Sequence, residues 1–298
     1  MGNCCLGLEL DLFNLDKQKQ LFFRLLQLST FSVFLGRAWQ HIYWDAPYRT
    51  LFWDEKIWGW VVHNFTSQDW NDYILNTEVE DSIIMFIKAT GLVYVFCAIS
   101  ALLIGKVPRI AKGILWLGVL NLLFLAFLYC KEKFFSVGQF FEYTLQFGSP
   151  VFLLLWVQKE KLDTRYFILL LKLAIAFTFT CHGLYAIGFY PRPVVFLEMT
   201  MNILNVSEES AIQFLNLAGL LDFIISFGIF LPWRWSKYCL GYAVIWGFLT
   251  TIARVWANFQ LEWLDYVLLQ WLHESIMRAP HFLIPASVLV LESGLKKC

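Results

Sequence analysis

Eight apolar stretches separated by short polar breaks run along the chain, at 18–41, 82–104, 110–130, 137–157, 166–189, 211–232, 237–258 and 265–291. A bilayer span needs about 20 mostly apolar residues, so each stretch predicts a transmembrane helix. The fourth and eighth hold several polar residues and are the weakest of the set. The expected fold is all-α, a polytopic membrane protein of about eight helices.

Composition agrees. Hydrophobic residues fill 59% and charged residues 15% of the 298 positions, against roughly 45–50% and ~25% in soluble domains. With 23 Lys and Arg against 23 Asp and Glu, the chain lacks the basic excess of a nucleic-acid binder. The lipid bilayer is the expected partner, and nucleic acid is not. Seven cysteines show no metal-ligand spacing, and no disulfide framework is expected. Residues 8–20 are polar, so no cleavable signal peptide is expected. The opening MGNCCL falls short of a myristoylation signal, because Leu6 stands where Ser or Thr is needed.

Orientation follows the cations of the short loops. Thirteen Lys and Arg fall on the side of the N-terminus and five on the other, which predicts both termini in the cytoplasm. The outer side then carries the longest connection, 42–81, with Trp44, Trp53, Trp58 and Trp60 among acids. Trp favours the membrane–water interface, so this segment should lie along the outer surface. The amphipathic stretch 193–204 holds the matching place in the second half. Asn64-Phe65-Thr66 and Asn205-Val206-Ser207 are acceptor-type triplets on this side, meaningful only in a eukaryotic secretory context.

The halves repeat. Glu80-Asp81-Ser82, Phe86 and Gly91 match Glu208-Glu209-Ser210, Phe214 and Gly219 at an offset of 128, as Arg109 matches Lys237 and Gly113 matches Gly241. Glu142 precedes Pro150 and Phe152 as Glu274 precedes Pro280 and Phe282. The expected organisation is a cytoplasmic segment (1–17), a four-helix unit (18–158) with its outer Trp-rich segment (42–81), a second four-helix unit (159–292) and a cytoplasmic tail (293–298). An even number of spans per unit makes the repeats parallel.

Charge inside a span is costly and marks a functional site by default. Arg37, Gln40, His41 and Trp44 share one helical face, as do Thr178, Cys181, His182 and Tyr185, while Gln270, His273, Glu274, Arg278 and His281 form a stripe on the eighth span. Asp222 sits midway along the sixth span and Arg254 in the outer part of the seventh. One outward-opening polar cavity would collect Arg37, His41, His182, Asp222, Arg254, His273, Glu274 and Arg278. Its candidate catalytic groups are Asp222, His182, His273 and Glu274. Its candidate substrate contacts are Arg37, His41, Arg254, Arg278, Gln270, Tyr185, Asp45 and Arg49, the last two at the rim with Asp54. Plainer readings stand beside this one. Arg37 and His41 could anchor the headgroup boundary, His182 could be a satisfied interface histidine, and Asp222 with Arg254 could be a structural ion pair. Lys88 and Lys172 read as snorkelling or locally paired cations. No metal is expected, since no HxxxH or HExxH pair exists and His273 lies two helical turns from His281. No GxxxxGK, GxSxG, GxGxxG or CxxCH motif supports a nucleotide, esterase or c-type haem reading.

His182-Gly183, the amphipathic connection after it, Gly219-Leu220-Leu221-Asp222 and the basic turn Trp233-Arg234-Trp235-Ser236-Lys237 resemble the four-span DoxX/DoxD-like membrane family over residues 166–260. In the first half Tyr94 stands where that family's carboxylate would be. The segment from Arg37 to Glu55 faintly resembles the horizontally transferred transmembrane domain related to vitamin K-dependent carboxylase. The DoxX/DoxD resemblance implies a bacterial inner membrane and a redox leaning, because its relatives include subunits of thiosulfate:quinone oxidoreductases. Quinone is then the candidate cofactor, and a redox protein a candidate partner. Three functions compete: a redox protein acting on quinone or another lipid-soluble substrate, a non-enzymatic partner subunit or lipid-binding module, and a small-substrate transporter. The third is expected least, because no Gly- or Pro-broken helices stand out in matching positions.

Overall fold

The computed structural model describes residues 2–66, 68–158 and 163–295, with side chains from residue 17 to residue 294. Lys159, Lys161, Lys296 and Lys297 of the orientation argument lie outside the described residues, as do the side chains of Cys4, Cys5 and Leu6. All regular elements among the described residues are helices. Five are long and apolar enough to cross a membrane: α5 (Thr77–Leu103), α6 (Pro108–Glu132), α9 (Thr164–Ala186), α11 (Glu208–Gly228) and α12 (Trp233–Ala257). The chain is an all-α, polytopic membrane protein. In α1 (Gly2–Tyr43) the apolar run is diluted by Arg24, Gln27, Arg37, Gln40 and His41. The outer segment folds into α2 (Arg49–Phe52), α3 (Glu55–Phe65) and α4 (Trp70–Leu75), and α10 (Val194–Leu204) fills the matching stretch of the second half.

Local chemistry sets the helix ends. Asp54, Asp69, Asn76 and Asp163 each accept a backbone N–H at the start of α3, α4, α5 and α9, and Ser207 does so for α11. Pro108 opens α6 at a position that needs no N–H donor.

The fourth and eighth predicted spans are each divided. The former becomes α7 (Val137–Glu142) and α8 (Thr144–Val157), and the latter α13 (Leu264–Met277) and α14 (Pro280–Leu295). Tyr143 (φ −83°, ψ 4°) and Arg278 (φ −92°, ψ −1°) occupy the bridge region at the two breaks. Seven residues past each break a proline lies inside the following helix, Pro150 in α8 and Pro285 in α14. This corrects the matching of Pro150 with Pro280, which instead opens α14. Lacking an N–H, Pro150 and Pro285 leave the carbonyls of Gln146 and His281 without their helical donors.

Two helices hold the molecule together. α1 packs on α5 and α8 of its own half and on α13 and α14 of the other, while α9 packs on α11 and α14 of its own half and on α7 and α8 of the other. The closest approaches correspond as well. A Cβ on Gly91 would lie 2.8 Å from Ile42 Cγ1 and 3.3 Å from Ala38 O, and one on Gly219 would lie 2.8 Å from Ile187 Cγ2 and 2.9 Å from Gly183 O. Ala38 and Ile42 thus stand to Gly91 as Gly183 and Ile187 stand to Gly219, an offset of 145 between α1 and α9.

Ion pairs pin the Trp-rich segment 42–81 to α5 and α6. Arg49 pairs with Asp45 at 2.5 Å and with Glu80 of α5. Asp54 pairs with Lys131 of α6 at 2.6 Å. The hydrogen bond from Lys131 holds the Asp54 carboxyl below its ordinary value of 3.8. A depressed carboxyl value stabilises the fold above the ordinary value and loses that contribution as pH falls through the lower, folded one. Pepsin cleavage within 49–65, normalised at each pH to an unstructured peptide, should therefore accelerate below pH 3.8, and Asp54→Asn should weaken that dependence on pH.

Candidate functional site

Polar side chains gather in two groups, one on α1, α6 and α8 around Arg37 and one on α7, α9 and α14 around His182. Arg37 is 2% exposed. Its Nη1 donates to Gln40 Oε1 (2.7 Å) and Tyr129 Oη (3.2 Å), and its Nη2 donates to Gln146 Oε1 (2.6 Å). The guanidinium also lies 5.3 Å from the ring centre of Tyr129 and 5.1 Å from that of Tyr143. His41 is fully buried and donates from Nδ1 to Arg37 O at 2.7 Å, between the rings of Tyr48 and Tyr94. Both side chains are turned into the protein interior and held by protein partners.

Across the interface, Glu142 Oε1 lies 3.6 Å from His182 Nδ1, and His182 Nε2 lies 3.1 Å from His281 Nε2. Gln139 donates to Glu142 Oε2 at 2.9 Å and accepts from the Tyr185 hydroxyl at 3.3 Å. Arg254, 8% exposed at its side chain, pairs with Glu274 at 2.5 Å. It does not pair with Asp222, as the ion-pair reading expected, because Glu274 on the neighbouring α13 takes the guanidinium. His273 stacks beside Trp44, their ring centres 6.2 Å apart. Lys172 is paired locally, with Glu292 at 2.7 Å. No group of three or more His, Cys, Asp or Glu suited to a metal occurs among the described residues.

Beneath α10, between α9, α11, α12 and α14, lies a cavity of about 510 Å³. Its wall includes the large apolar side chains of Phe179, Phe196, Met199, Phe214, Trp246 and Trp256, and His182, Asp222, Arg278 and His281 are its charged or titratable members. Asp222 is 4% exposed, Trp246 and Tyr242 are among its polar neighbours, and its Oδ1 has no hydrogen-bond partner.

The first half fills the corresponding place. At the offset of 128, Tyr94 replaces Asp222, Phe86 replaces Phe214 and Asn121 replaces Leu249. Tyr94 and Tyr48, both fully buried, donate to Asn121 Oδ1, and Tyr48 packs edge-on against Phe86.

No family model, curated protein or solved structure matches this chain.

The single polar cavity expected from the sequence is therefore divided. His182, Asp222 and Arg278 line it, joined by His281. Arg37, His41, Arg254, His273 and Glu274 lie outside its lining, in the polar networks above. Tyr185 joins Glu142 through Gln139, Gln270 is exposed, and Asp45 and Arg49 tie down the outer segment. Sequence reasoning treated Glu142 only as a repeat marker and assigned no role to Gln146 or Trp246. The signal for Glu142 was a carboxylate inside an apolar span.

Proposed function

We propose that this protein holds a lipid-soluble amphiphile in the cavity beneath α10, with its apolar body among the aromatic wall and its head at Asp222, His182, His281 and Arg278. One observation carries the reading: Asp222, a buried carboxyl whose Oδ1 has no hydrogen-bond partner, is among the residues that line this mostly apolar cavity. Such an oxygen is costly unless a donor reaches it or it is protonated. A head bearing hydroxyl or carbonyl oxygens suits a carboxyl, a guanidinium and imidazoles together, and quinones and quinols belong to that class. The DoxX/DoxD-like resemblance leans the same way.

Decylubiquinol quenching of Trp fluorescence tests this. Quenching should saturate in the wild type and become weak and non-saturable in Ala218→Trp, because Ala218 lines the cavity and an indole there would occupy it. Equal, unsaturable quenching in both proteins would remove the reading.

A second reading, transport, gains from the breaks at Tyr143 and Arg278, because discontinuous helices in matching positions were the feature the sequence lacked. Flux into proteoliposomes separates transport from simple binding. We read the two halves as a parallel duplication with both termini in the cytoplasm, supported by the exchanged packing of α1 and α9. Reporter fusions at the two ends should report the same compartment.

A further inference from the structure

The side chains that join Glu142 to the cavity obey a proton count. His281 Nδ1 lies 2.8 Å from the carbonyl oxygen of Arg278, which can only accept, so this nitrogen carries hydrogen. In a neutral ring its Nε2 is then an acceptor, and His182 Nε2, 3.1 Å away, must supply the hydrogen. That leaves a lone pair on His182 Nδ1 facing Glu142 Oε1 at 3.6 Å, which is unfavourable unless the carboxyl is protonated. The other neutral tautomer of His182 points its Nδ1 hydrogen at a Glu142 carboxylate. It then sets two bare Nε2 atoms against each other, unless His281 carries both its hydrogens. Each arrangement free of opposed lone pairs holds at least one proton more than a carboxylate and two neutral imidazoles.

We propose that Glu142, His182 and His281 hold one shared, exchangeable proton beside the polar end of the cavity. Glu142 is its terminal group, one residue before the break at Tyr143 and in contact with Gln139 and, through it, Tyr185. Once the 3.6 Å separation of Glu142 and His182 closes to hydrogen-bond length, the proton moves by breaking O–H at Glu142 as N–H forms at His182 Nδ1, while the His182 Nε2 hydrogen shifts to His281 Nε2. No other bond changes. The titration is that of the trio rather than of any one member. The groups facing it are Arg254, held by Glu274 of α13, Arg278 at the α13–α14 break, Tyr143, and Cys181 and Tyr185 of α9. The purpose of the proton rests on the amphiphile reading: His182 and His281 line the cavity, so occupancy of its polar end is linked to the protonation of the trio.

Nitrogen-15 NMR of histidine-labelled protein in lipid nanodiscs tests the shared proton without any ligand. The chain has five histidines, so His182→Gln and His281→Gln suffice to assign the two rings. In the wild type both rings should change together in one titration. Glu142→Gln should abolish that common titration and freeze His182 with hydrogen on Nε2 and His281 with hydrogen on Nδ1. Rings that titrate independently, or a common titration that persists in Glu142→Gln, would overturn the proposal. Should Glu142→Gln fold poorly, loss of the His182 titration in His281→Gln serves as the same criterion. Decylubiquinol added in weak buffer with a pH-sensitive dye then reads the linkage. A common titration without cavity binding of decylubiquinol would overturn the amphiphile reading and leave the relay standing, whereas binding without the titration would do the reverse.

Discussion

Glu274→Ala is expected to cost about 3–5 kcal/mol of stability, the loss typical when one member of a buried ion pair is removed. Arg254 would keep its charge in a place where its Nε already lacks a partner and where Arg278 is a near, like-charged neighbour. The destabilisation comes from the stranded cation more than from the lost attraction. Replacing both residues, as Arg254→Met with Glu274→Leu, removes the charge and its partner together and should recover most of the loss. Thermal unfolding of the detergent-solubilised protein would show this as a deep fall in Tm for the single variant and a shallow one for the double variant. A single variant as stable as the wild type would mean that Arg254 finds another anion, and the pair would then not be what joins α12 to α13.

Gly247→Val should be more damaging than any exposed substitution. A Cβ at position 247 would fall on the backbone carbonyl of His281, and one at Gly36 would lie 2.7 Å from His273 O and from Met277 N. These two glycines seat α12 and α1 directly against the backbone of the divided eighth segment, the close approach that small residues permit between membrane helices. No flexible side-chain end can yield there, so the cost should reach or pass the ~3 kcal/mol upper range of ordinary overpacking. The cavity should suffer with it, because His281 sets its polar end. Expression and monodispersity on gel filtration would read the first effect. Gly113→Val is the control, because a Cβ there meets open space.

Much of this architecture was legible in the sequence, for physical reasons that also mark where legibility stops. α5, α6, α9, α11 and α12 announced themselves because a lipid-facing helix must be apolar along its length. Asp222, His182 and Arg278 stood out because charge in such a helix is expensive, and these three do line one cavity. What failed was pairing. Arg254 or the stripe of the eighth span was expected near Asp222; the partner of Arg254 depends on helix order and rotation, and α13 presents Glu274 to it, while Arg278 and His281 of the stripe line the same cavity as Asp222. The break at Tyr143 left no local mark, since neither Gly nor Pro stands there, whereas Pro280 flagged its counterpart at Arg278. Glu142 was overlooked because its importance depends on His182, forty residues away in sequence and 3.6 Å away in space.

The filled place around Tyr48, Tyr94 and Asn121 has a consequence for how the molecule should be counted. Two halves that exchange the same neighbours would ordinarily offer two equivalent sites. Here one half has completed its site with its own tyrosines, and the other keeps an aspartate and a cavity. On the proposed reading the chain would behave as a covalent heterodimer with a single receptive half, and decylubiquinol should bind at the Asp222 cavity with a stoichiometry of one.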